Sequence, residues 1–286
     1  MNAERIESAL WVETLFWPLL GVLVALALLF AGCLRGAVFD RVPPRRVGLT
    51  LHDVLSGTLI MMMGMMAMVQ IQLWIAADGD TLQDPVSAAG WSLGNQALTQ
   101  LPVVLFVLYR TTGGWRRFGL WSDRPLRHLV AASLALLAAV PIVFGLIQTM
   151  IWLGDLFQLE PPAAGHALIP VLQEKSTTWA VVGLLSSVVL VAPLLEEIIF
   201  RGLVQTALES LNPGRRRWGI IVIAAAWFAL IHAGSPWQVM PSLFVLGMMM
   251  GWLYERYGSL FPAVLLHAGF NATNAAIAMA QGAGGV

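Results

Sequence analysis

The stretch Ser176-TTWAVVGLLSSVVLVAPLL-Glu196-Glu197-IIF-Arg201 decides how this chain folds. From Ser176 to Leu195 it carries no charge, and about 20 apolar residues suffice to cross the hydrocarbon of a bilayer. Two adjacent glutamates and an arginine then follow inside the same helical run. A carboxylate at bilayer depth costs about 2.5–3.5 kcal/mol on insertion scales, so such groups face a bundle interior and mark a function. The run is too long for a simple span, and Pro193 is the expected point of a kink.

Working outward, the chain is 58% hydrophobic and 11% charged, against about 25% charged for a soluble domain. Mean hydropathy is +0.76, as expected of a polytopic integral membrane protein. Charge-free windows place helices near 14–34, 54–76, 87–109, 129–153, 177–211, 217–233, 237–254 and 259–282. The expected fold is therefore an all-α bundle of about eight transmembrane helices, with seven as the alternative. The third segment is the most polar, through Asn95, Gln96 and Gln100. Residues 1–176 hold no catalytic motif and 177–286 hold all of them, within one integral bundle. A net charge of zero argues against a nucleic-acid partner. The single cysteine, Cys33, excludes an internal disulfide framework. Phe30-Ala-Gly-Cys33 loosely resembles a lipoprotein cleavage box, but Glu4, Glu7 and Glu13 stand where a signal peptide is basic.

The arginines alternate by connection. Arg35, Arg41, Arg45 and Arg46 follow the first segment, Arg110 to Arg127 the third, and Arg215, Arg216 and Arg217 the fifth. Asp78, Asp80, Asp84, Asp155, Glu160 and Glu174 occupy the intervening connections. By the positive-inside rule the odd connections are cytoplasmic and both termini lie outside. The expected location is a bacterial plasma membrane, with the site open toward the cytoplasm. Trp74, Trp152, Trp179 and Trp237 fall at segment ends, as interfacial anchors do.

Glu197 and Arg201 are spaced i,i+4 and can pair on one helix face, whereas Glu196 is rotated by about 100°. One arginine does not neutralise two carboxylates, so Glu196 is left for another role. Phe228 and His232 close the sixth segment one turn apart, and His267 and Asn271 share a face of the eighth. Glu196 and His232 lie equally far along the chain from Gly214, so an antiparallel helix pair places them at one depth. Gly247 and Gly251 form a small-xxx-small pattern that reads as close internal packing of the seventh helix. The run MMMGMMAM at 61–68 covers every helix face, which favours packing over copper ligation. His166 falls in an external loop and has no evident role.

Glu-Glu-x-x-x-Arg at 196–201, Phe-x-x-x-His at 228–232 and His-x-x-x-Asn at 267–271, in that order on membrane helices, resemble the CAAX-protease and bacteriocin-processing (CPBP, or Abi) family of intramembrane proteases. The resemblance covers about residues 177–275. It implies an endopeptidase acting on a membrane-associated peptide or protein at the lipid bilayer. Glu196 would be the general base, His232 would hold the water, and His267 and Asn271 would bind the developing oxyanion. Glu197, Arg201 and Phe228 would support these four. No Ser–His–Asp or Cys–His arrangement and no His-Glu-x-x-His zinc motif is visible. No cofactor is required by the motifs. Zinc is possible, with Glu196, His232 and His267 as its ligands, but Glu196 cannot easily be both ligand and base. Two other classes compete: a non-catalytic membrane immunity or scaffold protein, and a proton-coupled transporter. The transporter would more often show an internal repeat, which is not visible here. Filled motif positions argue against a dead enzyme.

Overall fold

The computed structural model describes residues 3–40, 42, 48–77, 85–111, 114–120, 122–159, 178–211, 213 and 216–283. Among them it forms eight long helices and no strand. Helix α1 is Ala3–Phe30 and α2 is Leu51–Ala77. Helix α3 runs continuously through Pro85–Asn95, a π turn at Gln96–Gln100, and Leu101–Arg110. Helix α4 is Pro125–Leu156. Helix α5 begins as Thr178–Ser186 and continues to Thr206–Leu211. Helices α6, α7 and α8 are Arg217–Ile231, Met240–Tyr257 and Phe261–Ala283. The eight segments expected from charge-free windows are all present.

Four of these helices are long and apolar enough to cross a membrane, at Leu51–Ile75, Pro125–Leu156, Trp179–Leu211 and Phe261–Ala280. Leu15–Phe30 and Arg217–Ile231 are apolar but shorter. The outer surface is correspondingly apolar: Leu19, Leu23, Leu55, Leu59, Leu134 and Leu137 are all exposed. In the methionine run, Met62, Met63, Met65 and Met66 face outward and Met68 is buried, which is a packing pattern. The molecule is a helical membrane bundle.

In such a solvent the helices gain little from hiding apolar surface, so close backbone approach and internal hydrogen bonds carry more of the association. Helix α1 lies along α4, where a Cβ at Gly145 would stand 2.5 Å from the carbonyl oxygen of Trp17. Helix α2 meets the π turn of α3 in the same way at Gly64, where a Cβ would collide with the Leu98 carbonyl oxygen. The densest core lies where α3 and α5–α8 converge, around Val107, Phe200, Leu203, Phe228, Met250, Tyr254 and Leu266. Helix α7 ends at Gly258, whose φ of +65° is the left-handed cap that glycine adopts without a Cβ penalty.

Helix α5 departs from regular α geometry twice, through π segments at Ser187–Val191 and Ile198–Gln205. The glutamates sit in the short α segment between them, Ala192–Glu197. Pro193 is the cause of the first bulge, because its ring has no N–H and clashes with the preceding turn. The amide of Ala192 reaches back to the Ser187 carbonyl in the wide register. The next carbonyl, Val188, has Pro193, which carries no N–H, as its partner in that register.

Candidate active site

That carbonyl is where the first site residue is found. Asn271 Nδ2 on α8 donates to Val188 O at 2.9 Å and supplies the hydrogen that Pro193 lacks. The second distortion-related contact comes from α3. Gln96 Nε2 donates to Ser187 Oγ at 2.8 Å and to Ser187 O at 3.3 Å, and Ser92 Oγ lies 2.7 Å from the same hydroxyl. One turn further on, Gln100 Nε2 donates to Glu196 Oε1 at 3.3 Å. The polarity of the third segment is thus a latch onto the irregular part of α5, and its last member holds a glutamate.

The two glutamates have different surroundings, as their rotation requires. Glu197 is fully buried and its Oε1 accepts from Arg201 Nη1 at 2.9 Å. Arg201 is itself buried; its Nη2 donates to the Gly247 carbonyl at 2.8 Å, and its guanidinium lies 5.1 Å from the Phe228 ring centre. Gly247 permits that reach, since a Cβ there would press on Ala225 and Phe228 at 3.2 and 3.3 Å. Below it, Gln205 donates to the Gly251 carbonyl at 3.2 Å and to Glu255 at 2.7 Å. The Gly247/Gly251 pattern is therefore internal packing of α7 against α5 and α6.

Glu196 keeps 13% of its side chain exposed. His267 stands between the two carboxylates. Its Nδ1 is 3.0 Å from Glu197 Oε1, and its Nε2 is 3.8 Å from Glu196 Oε2. An ionised carboxylate only accepts hydrogen bonds, so the Glu197 contact places a proton on Nδ1 and turns Nε2 toward Glu196. His232 caps the end of α6, its Nδ1 lying 2.7 Å from the Phe228 carbonyl oxygen. That acceptor fixes a proton on Nδ1, so in the neutral ring the lone pair is on Nε2. The Phe228 ring joins the two histidines, 4.7 Å from His232 and edge-on at 5.8 Å from His267. Phe200 supports it at 5.1 Å and 88°.

The structure therefore brings Glu196, Glu197, Arg201, Phe228 and His267 into one contiguous set, with His232 attached through Phe228 and Asn271 one turn beyond His267 on α8, bonded to Val188. Two contacts bear on the expected roles. Asn271 and His267 are not a pair of free donors, since one N–H of Asn271 is committed to Val188 and His267 Nδ1 to Glu197. Glu196 and His232 make no hydrogen bond or ion pair with each other among the described residues. Gln100 has no assigned role in the sequence reading; its only signal there is its share in the polarity of the third segment.

The donor set does not complete a zinc site. Glu196 and His267 approach one another, but no group of three His, Cys, Asp or Glu suited to a metal occurs among the described residues. Cys33 is a free thiol far along the chain, in contact through its carbonyl oxygen with Trp252 Nε1 at 3.1 Å. His166 and most of the acidic external connections lie outside the described residues.

Comparison with known proteins bears on the second half of the chain. A curated relative, the UPF0177 protein YxdF of Lactococcus lactis subsp. lactis (strain IL1403), is 24% identical over 82 residues. The alignment covers 29% of this chain and 42% of that protein's length. No solved structure matches the chain. The family model for type II CAAX prenyl endopeptidase Rce1-like proteins matches residues 177–273, which hold all three motifs. The resemblance read from those motifs stands, and over its last four helices this chain matches the Rce1-like family.

Proposed function

We propose that this protein is an intramembrane endopeptidase that hydrolyses a peptide bond of a membrane-associated protein or peptide with a water activated by Glu196. The observation that carries this reading is the contrast between the two glutamates. Glu197 is fully buried and paired with Arg201, while Glu196 is partly exposed, held by Gln100 and faced by His267.

In this reading Glu196 takes a proton from water as the water oxygen bonds to the scissile carbonyl carbon. The Nε2 of His232 accepts a hydrogen bond from the same water and aims it. Negative charge gathers on the former carbonyl oxygen. His267, when Nε2 is also protonated, and the uncommitted N–H of Asn271 are the donors that meet it. Glu197 supports the positive charge on His267 from the far ring nitrogen, as the aspartate of a serine-protease triad supports its histidine. As the C–N bond breaks, the proton held by Glu196 passes to the leaving amine. No step needs a metal ion. The arginines of the odd connections support a site on the cytoplasmic side of a bacterial plasma membrane, with both termini outside.

The test uses the purified chain in liposomes with membrane-tethered peptides, new termini being read by mass spectrometry. The reading expects cleavage that survives chelators and is lost in His232→Ala. Stoichiometric zinc required for turnover, or unchanged cleavage in His232→Ala, overturns it.

A further inference from the structure

A second site lies away from the glutamates, at the end of the bundle where the α3–α4 connection meets the α7–α8 turn. Arg116, Arg117, Arg124 and Arg127 line a cavity of about 850 Å³ there, with His128 and Tyr257 on its walls and Asp123 as its one acid. All four arginines are exposed, and none makes an ion pair with a described residue. Four exposed guanidiniums against one carboxylate around one concavity suit a phosphate, which arginine binds through paired N–H donors.

The cavity does not stand alone. Arg124, Arg127 and Tyr257 also border an adjoining groove of about 600 Å³, whose remaining wall is Pro125, Leu126, Val130, Ala131 and Leu134 of α4. Tyr257 joins the two spaces, with the Arg127 guanidinium 5.3 Å from its ring centre. Helix α4 becomes a membrane span at Pro125, so the arginines stand at the interface and the groove descends into hydrocarbon. From Pro125 to Leu134 the helix falls by about 14 Å at its usual rise, close to the depth of one leaflet. A soluble phosphate would use the cavity and leave the groove unfilled. A phospholipid uses both.

We propose that this cavity and groove form a binding site for an anionic phospholipid, with the headgroup phosphate among Arg116, Arg117, Arg124 and Arg127 and an acyl chain along Val130 and Leu134. Basic pockets between membrane helices recognise anionic headgroups in this way. The site shares no residue with the glutamate centre, and it holds whether or not that centre cleaves peptides.

The full-length protein is reconstituted in nanodiscs of mixed phosphatidylglycerol and phosphatidylcholine, and the lipid retained after detergent exchange is quantified by native mass spectrometry. Phosphatidylglycerol should be enriched over the bulk mixture. Arg124→Gln with Arg127→Gln should lower its apparent affinity by roughly tenfold or more, given the worth of each basic residue near an anionic headgroup. Val130→Trp, which fills the groove without touching charge, should also reduce retention. Arg35→Gln with Arg216→Gln, neutralising exposed arginines elsewhere on the same side, should leave it unchanged. Equal loss in that control pair reduces the effect to diffuse surface charge and overturns the site. Full displacement by inorganic phosphate with no effect of Val130→Trp overturns the lipid in favour of a free anion. Circular dichroism of each variant confirms that a loss is not unfolding.

Discussion

Gln100 is the residue whose role can be isolated most cleanly, because its side chain reaches Glu196 from a different helix. A hydrogen bond to a charged group contributes about 1.5–3 kcal/mol. Gln100→Leu should therefore slow cleavage by roughly tenfold to a hundredfold through misplacement of the carboxylate, while the melting temperature changes little. Steady-state kinetics beside a thermal melt checks this; equal turnover would leave Gln100 as packing only. The Glu197–Arg201 pair should behave in the opposite manner. Both side chains are buried, so Arg201→Leu alone leaves an uncompensated carboxylate and should destabilise the protein by about 3–5 kcal/mol. Glu197→Leu combined with Arg201→Leu should recover much of that stability, yet not activity, because His267 Nδ1 loses its acceptor. A double variant that cleaves normally would show that the pair only pins the helix. Glu197 with Arg201 was legible from the sequence because i,i+4 spacing fixes their relation within one helix. The bond between Glu197 and His267 was not, since chain spacing gives depth along a helix and not the direction in which it faces a neighbour.

The irregularities of α5 and the glycines of α2 and α7 act at the scale of elements. Pro193 accounts for one π bulge and for the donor that Asn271 must supply to Val188. A kink was the sequence expectation at Pro193; a bulge flanked by side chains from α3 and α8 is what the chain forms. The contacts of Ser92, Gln96 and Asn271 were hidden because a bulge carbonyl has no signature of its own in sequence. Gly64 sets how closely α2 presses the π turn of α3, and any Cβ there would meet the Leu98 carbonyl far inside contact distance. Gly64→Val should push α3 away from α2, shift the Gln100 latch and lower both melting temperature and turnover. A core overpacking cost of about 1–3 kcal/mol is the expected scale. Retention of full stability would show that α2 and α3 can slide without disturbing the site.

At the scale of the whole molecule, the eight helices were readable because charge-free windows and arginine-rich connections depend only on the bilayer, the same solvent along the entire chain. The assignment of sides follows from that alternation and is open to direct measurement. A cysteine placed at Gly36, in a background with Cys33→Ser, should be reached by an impermeant thiol reagent only after the cells are opened. One placed beside Gln158, in the fourth connection, should react in intact cells. The reverse pattern would invert the bundle and turn the site to the other face. The family match runs over the last four helices, three of which carry the motifs, and the first four helices contribute Gln96 and Gln100 to them through α3. That division explains why removing residues before 177 should abolish the site even though no motif lies there. The central claim is that Glu196 and no other carboxylate activates the water, and the direct measurement is turnover of one membrane-tethered peptide by purified wild type and Glu196→Gln. The account predicts a loss of roughly a hundredfold to ten-thousandfold with an unchanged melting curve, the usual weight of a general base. Cleavage by a folded Glu196→Gln protein at the wild-type rate would contradict it.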